Sequence, residues 1–484
     1  MCNLTMNILM LTSETVPFSK SGGLADVVGA LSSSINKIGN SVKVMMPLYG
    51  FIDKKGFKKE RTITVSTLSK EETITILVKK VQKVDYLAID HPLFSARKGI
   101  YGDTSFSPYS DNAYRFLLLS KAAIEYIKQS DWKVDVLHAH DWTAGPAMYL
   151  AKEEKLKVKT VFTIHNLAYQ GDFSRFDLIR SNVKPTEKLL SGKGLEKRFN
   201  MLKSGLEYAD HITTVSPTYA KEIQTAEQGC GLNDLLKSRS NTLSGILNGI
   251  DKKEWNPKKD VFFEEHFSAK DQSGKAKLKL KAQKMFNLAV NPDIPLIGMI
   301  SRIADQKGFH ELLDGDVPAL EKIAREGKCQ FIIIGTGDKR YEDKLKDIGA
   351  RFDNVSVNIV FSQELSHIVE GVCDCFLMPS RYEPCGLNQM YSLVYGTLPI
   401  AHKTGGLADS IININEDIIH GNGFLFEELS PNSIYNIVNQ AITFYNDKVH
   451  FTEARTNALK SDFSWNESAE EYIKIYGKLL GGTK

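Results

Sequence analysis

The sequence predicts an α/β protein built from two doubly wound halves. Short apolar runs that end in glycine, serine or histidine loops and lead into helical patterns recur along the chain, which is typical of parallel βα units. A length of 484 residues is too great for one ordinary core, so we expect two domains of about 200 to 250 residues each. A seven-residue motif also occurs once in each half, at residues 20–26 and 403–409.

Strands are predicted where apolar runs have the length of a buried strand. In the first half these runs are residues 7–11, 41–46, 134–137, 160–164 and 211–215. In the second half they are residues 296–300, 330–334, 375–378 and 398–401. Residues 62–76 alternate threonine, valine and isoleucine, which predicts an antiparallel strand pair that decorates the first sheet.

The domain boundary is predicted within residues 248–257, where a glycine, a tryptophan and a proline interrupt the βα pattern. We therefore expect an N-terminal domain at residues 1–250 and a C-terminal domain at residues 251–465. A final helical stretch, residues 466–484, is expected to pack back on the N-terminal domain. The lysine-rich residues 258–284 indicate a helix whose charges face solvent.

Composition restricts the possible partners. A net charge of +3, with 42% hydrophobic and 25% charged residues, favours a soluble enzyme and gives no reason to expect nucleic acid or a membrane surface. No apolar run reaches the roughly 18 residues of a membrane span. Residues 1–10 contain no basic segment or long apolar core, so we expect no secretory signal, and the six cysteines are scattered; both favour a cytoplasmic protein.

The repeated motif favours binding of a diphosphate. Paired glycines let the backbone approach a ligand, and the helix beyond them presents unpaired N–H groups. A tight turn would explain one such loop, but two copies in opposite halves favour a diphosphate held in a cleft that both halves face. The residues concerned are Lys20, Gly22 and Gly23 in the first half and Thr404, Gly405 and Gly406 in the second.

Three charged residues follow predicted strands of the second half. Arg302 and Lys307 lie on one loop, where two cations would stabilise a departing nucleotide diphosphate; a solvated basic loop is the alternative. Their position at the carboxyl end of a strand favours the functional interpretation. Glu383 could hold sugar hydroxyls and favour positive charge at the anomeric carbon, although alone it would be an ordinary surface glutamate.

Histidines follow two strands of the first half. His138, His140 and Asp141 could ligate zinc, but no further ligand is near, and polar caps of the following helices are another explanation. We favour sugar binding, with Trp142 as a flat aromatic surface and His165 and Asn166 as hydroxyl partners. The acidic triplet at residues 314–316 imitates a metal-binding motif and is interpreted as a false positive, so no metal is expected.

These motifs together resemble the glycogen and bacterial starch synthases, retaining glycosyltransferases of family 5 with the GT-B fold of two Rossmann-like domains. The similarity runs over essentially the whole chain and is most specific from residue 379 to residue 409. It implies that the C-terminal domain holds ADP-glucose and that the N-terminal domain holds the α-1,4-glucan. The cleft between them would close before glucose is transferred, and no cofactor or metal would be required.

The resemblance also implies roles for single residues. Lys20 and Gly23 would meet the diphosphate and glucose, Arg302 and Lys307 the phosphates, and Phe361 the adenine. Glucose would be released from ADP with retention, the leaving phosphate taking the acceptor's proton. The remaining implied contacts are sugar hydroxyls for Glu383 and Asn248, the reacting carbon for His165, the acceptor for Asp141, and the donor for the backbone of Cys385, Gly386, Leu387 and Asn388.

Three other functions remain as alternatives. A transferase that uses UDP-glucose, such as a sucrose-synthase-like enzyme, is disfavoured by Tyr391, which stands where the wider superfamily often has a second glutamate. A non-catalytic glucan-binding paralogue is disfavoured because every charged position that the chemistry requires is filled. A nicotinamide-dependent dehydrogenase lacks its glycine fingerprint after the first strand. The sequence leaves the oligomeric state and the choice of glycogen or starch open.

Overall fold

The computed structural model describes residues 5–103, 107–192 and 197–481, so Cys2 and the first residues of the chain lie outside it. The chain divides into two compact units. The N-terminal unit comprises Met1–Gly249 and Trp465–Lys484, and the C-terminal unit comprises Ile250–Ser464. No helix in the described ranges is long and apolar enough to cross a membrane.

A nine-stranded sheet forms the centre of the N-terminal unit, in the order β12-β11-β7-β6-β1-β2-β5-β4-β3. All neighbours pair in parallel except β5 with β4 and β4 with β3, which form the antiparallel edge that the alternating residues predict. The strands are β1 (Asn7–Leu11), β2 (Ser41–Pro47), β3 (Lys58–Ser66), β4 (Glu71–Val81), β5 (Val84–Asp90), β6 (Val136–His140), β7 (Lys159–Ile164), β11 (His211–Thr214) and β12 (Leu243–Gly245).

A small antiparallel sheet lies apart from the large one, in the order β8-β10-β9. Its strands are β8 (Asp172–Ser174), β9 (Leu190–Ser191) and β10 (Arg198–Asn200). The helices of this part of the chain are α1 (Gly23–Lys37), α2 (Pro92–Ser95), α3 (Asn112–Gln129), α4 (Pro146–Glu153), α5 (Arg175–Arg180), α6 (Met201–Tyr208), α7 (Pro217–Glu222) and α8 (Asn233–Ser238).

The C-terminal unit has a six-stranded sheet in the order β15-β14-β13-β16-β17-β18, and all of its pairs are parallel. The strands are β13 (Leu296–Ile300), β14 (Gln330–Ile334), β15 (Val355–Asn358), β16 (Cys375–Met378), β17 (Leu398–His402) and β18 (Phe424–Phe426). The helices are α9 (Ser273–Met285), α10 (Phe309–Leu313), α11 (Ala319–Glu326), α12 (Lys339–Arg351), α13 (Gln363–Val372), α14 (Asn388–Val394), α15 (Gly405–Ser410), α16 (Pro431–Asn446) and α17 (Lys448–Lys460).

Strand order reverses once in each sheet, which positions the ligand sites. In the N-terminal unit the chain runs outward from β1 through β2, and then returns to β6 on the other side of β1. In the C-terminal unit β13 lies between β14 and β16 in the same way. The loops after adjacent strands diverge at such a point and leave a crevice, so ligands of doubly wound sheets bind there.

The last helix, α18 (Trp465–Leu479), belongs to the N-terminal unit. Trp465, Ala469, Tyr472 and Tyr476 on this helix are buried in the core that contains residues of β1, β2 and α1. Ser468 on the same helix donates a 2.6 Å hydrogen bond to the carbonyl of Leu247. The end of the chain thus completes the core of the first unit.

All nine predicted strands are confirmed, most of them within one or two residues of their bounds. The prediction of a helix at residues 258–284 with solvent-exposed lysines is wrong in two respects. The helix begins only at Ser273, and its Lys275 and Lys279 are buried rather than exposed. Lys275 donates to the carbonyl of Gly371 at 2.7 Å, and Lys279 forms a 2.7 Å ion pair with Asp374. These partners replace water around the buried charges.

Candidate active site

In the C-terminal unit, the loops after β13 and β16 bring two predicted residues together. The ammonium of Lys307 forms an ion pair with Oε2 of Glu383, and Ser380 donates a 3.1 Å hydrogen bond to the same oxygen. Glu383 is only 6% exposed, so these partners take the place of water around its carboxylate. A buried carboxylate and a cation at the switch point can bind hydroxyl and phosphate groups.

The same two loops are joined through Gln306. Its backbone carbonyl accepts a 2.9 Å hydrogen bond from the N–H of Arg381, and its side-chain oxygen accepts one from Arg302 at 3.1 Å. Arg302 is otherwise exposed. An exposed guanidinium that uses only one of its N–H groups in this way, among the described residues, is suited to an anionic ligand.

The second glycine motif packs against the glutamate loop. A Cβ added at Gly405 would lie 2.0 Å from the carbonyl oxygen of Glu383, and one added at Gly406 would lie 2.1 Å from that of Cys385. The N–H of Gly406 donates to the carbonyl of Glu383 at 3.1 Å, and Thr404 precedes the helix. Close packing of the two loops therefore explains why both positions are glycine, without any contribution from a ligand.

The segment after Glu383 turns into α14. Gly386 has a φ of +71°, which favours glycine, and Leu387 and Asn388 are half-buried where the helix begins. Asn388 donates a 3.0 Å side-chain hydrogen bond to the carbonyl of Ile300 at the end of β13. The backbone of this turn is thereby held beside the loop that carries Arg302.

Phe361 follows β15, at the far edge of the sheet from β16, and its side chain is 89% exposed. An aromatic ring left open in this way can stack on a base. No described contact joins it to Glu383.

In the N-terminal unit, the first glycine motif is held by a residue that the sequence analysis missed. Glu14, only 2% exposed, follows β1 and accepts hydrogen bonds from the N–H of Ser21, from its hydroxyl at 2.9 Å, and from the Tyr101 hydroxyl at 2.9 Å. Burial raises the pKa of Glu14, although these hydrogen bonds lower it. The available signal was a carboxylate just after a strand, the same signal that identified Glu383.

The first glycine loop itself is open. A Cβ at Gly22 would meet no atom within 4 Å, and Gly22 and Gly23 are both exposed at the start of α1. Lys20 pairs with Asp26 at 2.8 Å. Unlike the second motif, this loop leaves its backbone accessible to a ligand.

Four predicted residues meet where β6 and β7 end. Nδ1 of His140 lies 3.0 Å from Nε2 of His165, and the backbone N–H of His165 donates to Asp141 at 2.7 Å. Asn166 accepts from the N–H of Ala168 at 3.0 Å and so caps the following turn. Asp141 has a φ of +57°, a conformation unusual outside glycine.

Burial keeps this histidine cluster neutral. It lowers the pKa of His138 and of His165 to about 3, and it lowers that of His140 well below the ordinary value. Burial also raises the pKa of Asp141 to about 7, although the backbone N–H groups of His165 and Asn166 oppose the change. Neutral imidazoles are suited to sugar hydroxyls.

The other two predicted residues of this unit have different surroundings. Trp142 is packed among Tyr101, Phe116 and Phe173, with ring centroids 5.1 to 6.0 Å away. It is therefore at least in part a core residue. Asn248 is buried, and its side-chain oxygen has no hydrogen-bond partner among the described residues. A buried orphan acceptor of this kind is suited to a ligand's hydroxyl.

No group of three or more histidine, cysteine, aspartate or glutamate side chains in the described ranges is arranged to hold a metal ion. In the triplet that imitates a metal motif, Asp314 instead pairs with Lys344 and His310.

The family model for the starch synthase catalytic domain matches residues 7–238, and that for group 1 glycosyl transferases matches residues 281–457. A glycogen synthase from Treponema denticola is 42% identical over 98% of this chain and 99% of its own. One from Geotalea daltonii is 37% identical with the same coverage.

Two solved structures are similar to this one. The catalytic domain of starch synthase IV from Arabidopsis thaliana, bound to ADP and acarbose, has a TM-score of 0.88 and 30% identity over 99% of this chain and 100% of its own. A sucrose-phosphate synthase from Thermosynechococcus elongatus has a TM-score of 0.62 over the same shares but only 15% identity, so it supports the fold alone. The chain therefore belongs to the glycogen and starch synthase family, as a GT-B glycosyltransferase of glycogen or starch synthesis.

Proposed function

We propose that the enzyme transfers glucose from ADP-glucose to the non-reducing end of an α-1,4-glucan with retention, and releases ADP. The observation that carries this proposal is the pair of Lys307 and Glu383 at the switch point of the C-terminal sheet, beside Arg302. The similar starch synthase was solved with ADP and acarbose bound, which supports a nucleotide and a glucan as ligands.

The C-terminal unit is proposed to hold the donor. Arg302 and Lys307 stabilise the negative charge that develops on the departing diphosphate. Glu383 binds sugar hydroxyls and favours positive charge at the anomeric carbon. Phe361 stacks on the base, and the turn from Cys385 through Gly386 and Leu387 to Asn388, supported by Thr404, Gly405 and Gly406, lines the sugar and phosphates.

The N-terminal unit is proposed to hold the acceptor glucan. Lys20, Gly22 and Gly23 meet the diphosphate through their open loop. His165 lies beside the reacting carbon, and Asp141 lies near the acceptor. Trp142, Asn166 and Asn248 contact sugar hydroxyls or hold the residues that do. The leaving phosphate takes the acceptor's proton, so no residue of the protein forms a covalent bond with glucose.

The proposed chemistry needs no metal or cofactor, because Arg302 and Lys307 supply the positive charge. The proposed location is the cytoplasm. The five cysteines of the described ranges form no disulfide bond with one another, which agrees with a reducing compartment.

Glucose transfer to glycogen tests the proposal, with ADP-glucose and UDP-glucose as donors. Glu383→Ala is expected to lower kcat by about 10²-fold, because the buried carboxylate supports the transition state. Glu453→Ala, which removes an exposed carboxylate of the same unit, is the matched control and should retain full activity. Faster transfer from UDP-glucose would contradict the proposed donor. Glucan binding without transfer from either donor would contradict the enzymatic role.

A further inference from the structure

Buried contacts lead from the last helix to His165 through His138 and His140. The Tyr476 hydroxyl lies 2.7 Å from Nδ1 of His138, and Nε2 of His138 lies 2.6 Å from the Thr163 hydroxyl. Both ring nitrogens of His138 are therefore engaged. Its ring centroid is 4.1 Å from that of His140, so it fixes the plane against which His140 packs.

Only one of the two ring nitrogens of His140 has a hydrogen-bond partner among the described residues. Its Nδ1 lies 3.0 Å from Nε2 of His165, whereas its own Nε2 is buried without a partner among the described residues. A neutral imidazole carries one N–H, and only one of the two facing nitrogens can donate. Burial keeps both rings neutral at physiological pH, because it lowers the pKa of each.

The two possible tautomers of His140 differ in free energy. With its proton on Nδ1, His140 donates to His165 and leaves only a lone pair unpaired at Nε2. With its proton on Nε2, it buries an N–H group that has no acceptor. Orphaned buried N–H groups are rarer in proteins than unpaired acceptors, because the lost hydrogen bond to water is not replaced.

We propose that His140 is a positioning residue that donates from Nδ1 to Nε2 of His165 and thereby fixes His165 as the tautomer protonated on Nδ1. The inference rests on the proposed place of His165 beside the reacting sugar. It adds a specific consequence at that place. Nδ1 of His165, which no described residue engages, presents an N–H donor, so it binds a sugar oxygen through that oxygen's lone pair.

The tautomer of His165 also determines where the proton of the acceptor hydroxyl goes during the reaction. Because Nδ1 of His165 already carries a proton and Nε2 accepts from His140, neither nitrogen can take the proton of the attacking acceptor hydroxyl. That proton passes to the leaving phosphate oxygen as the bond from glucose to phosphate breaks and the new glycosidic bond forms.

Histidine NMR tests the tautomer without any dependence on activity. In the full chain labelled with ¹⁵N-histidine, long-range proton–nitrogen correlations distinguish the two tautomers, and the His165→Gln variant identifies the signals of His165. We expect the Nδ1–H form at pH 7.5. An Nε2–H form, or rapid exchange between the two, would overturn the proposal even if the enzyme transfers glucose as proposed.

Two substitutions of His140 test its role in positioning. His140→Leu removes the donor and is expected to lower kcat by about 10²-fold with a smaller change in KM, because the ring of His165 is no longer held. His140→Asn places an amide N–H where Nδ1 lay and is expected to recover at least about tenfold of that loss. His450→Asn, at a partly exposed histidine of α17, is the control and should match the wild type.

The outcomes separate the two proposals. Wild-type kcat in His140→Leu would overturn the positioning role. If His140→Leu does not fold, the comparison of His140→Asn with the wild type and the NMR measurement still decide it. A wild-type chain that shows the Nδ1–H tautomer but transfers no glucose would refute the proposed function and leave the tautomer assignment standing.

Discussion

Buried ionisable side chains lie at the ends of the central strands in both units. Glu383 is neutralised by Lys307, whereas Glu14 receives hydrogen bonds from neutral groups of its own loop and from Tyr101. The different partners indicate that Glu383 and Glu14 have different roles. Glu383 and its cation are proposed to bind the donor, whereas Glu14 holds the shape of the loop that begins at Lys20.

Replacement of Glu14 tests its role at the first glycine loop. Glu14→Gln removes the charge and replaces one of the two acceptor oxygens with an amide donor, so the hydrogen bonds to the first glycine loop are weakened or rearranged. We therefore expect kcat/KM for the donor to fall about tenfold or more. Ser21→Ala, which removes only the hydroxyl contact, should cost less. Steady-state kinetics of both variants, with thermal melts to confirm folding, provide the measurement. Equal kinetics for Glu14→Gln and the wild type would contradict the role.

The pH dependence of stability should reveal His367. Its Nδ1 lies 2.7 Å from Asp260 and its ring stacks on Trp255 at 3.9 Å. Burial alone would lower the pKa of His367, but Asp260 and Glu254 outweigh it and raise the pKa to about 9. The pKa is higher than in the unfolded chain, so the stabilisation is complete below about pH 6.5 and is lost as pH rises through about 9.

Urea denaturation at pH 7 and at pH 10 measures this effect as the difference between the wild type and His367→Gln. The wild type is expected to lose on the order of 2 kcal/mol more than the variant over this range. Other groups titrate in both proteins and cancel in the comparison. Parallel pH profiles for the two proteins would show that His367 is not charged in the folded state.

At the scale of single elements, the last helix is the clearest case of an element whose place the local pattern does not determine. The sequence predicts a helix within residues 466–484, and the structure has α18 at Trp465–Leu479, with residues 482–484 outside the described ranges. The apolar stripe of this helix shows that one face is buried. Which core it enters follows only from partners such as His138, 338 residues away from Tyr476.

Substitution on α18 should destabilise the N-terminal unit. Trp465→Ala leaves a cavity beside β1 and α1 and is expected to cost about 3 to 5 kcal/mol. Glu470→Ala, on the exposed face of the same helix, should change stability by less than about 0.5 kcal/mol. Chemical denaturation of the full chain measures both. Similar small effects for the two variants would show that the helix is not part of this core.

At the scale of the whole molecule, two separate cores carry the two halves of the proposed chemistry. Each unit has its own parallel sheet and its own switch point, at β1 and β6 in one and at β13 and β16 in the other. A ligand that binds one unit therefore stabilises that unit first, by an amount set by its concentration relative to its Kd.

Hydrogen exchange with ADP tests the assignment of the donor to the C-terminal unit. At 100 times its Kd, ADP is expected to add about 2.7 kcal/mol of stability, with the strongest protection at residues 302–307 and 383–388. Lys307→Ala should reduce this protection, whereas Lys448→Ala, at the start of α17, should not. Protection confined to the N-terminal unit would contradict the assignment.

The sequence alone determined the features that depend on neighbours along the chain. Strand runs, the glycine loops and the charged residues just after strands are local patterns, and parallel strands bring their carboxyl ends to one edge. Arg302, Lys307 and Glu383 could therefore be predicted as one site. His165 and Asp141 also follow predicted strands, and the observed pairing of β6 with β7 brings them together.

Only the tertiary structure decided which polar groups are buried and what satisfies them. Nothing in the sequence around Lys279 distinguishes it from a solvent-exposed lysine. Its burial depends on the ion pair with Asp374, which directly precedes β16 and is far away along the chain. The roles of Glu14 and His140 likewise follow from Ser21 and His165. The cost of burying a charge or an N–H group is offset only by a partner in space, and the sequence does not state which distant residues will meet.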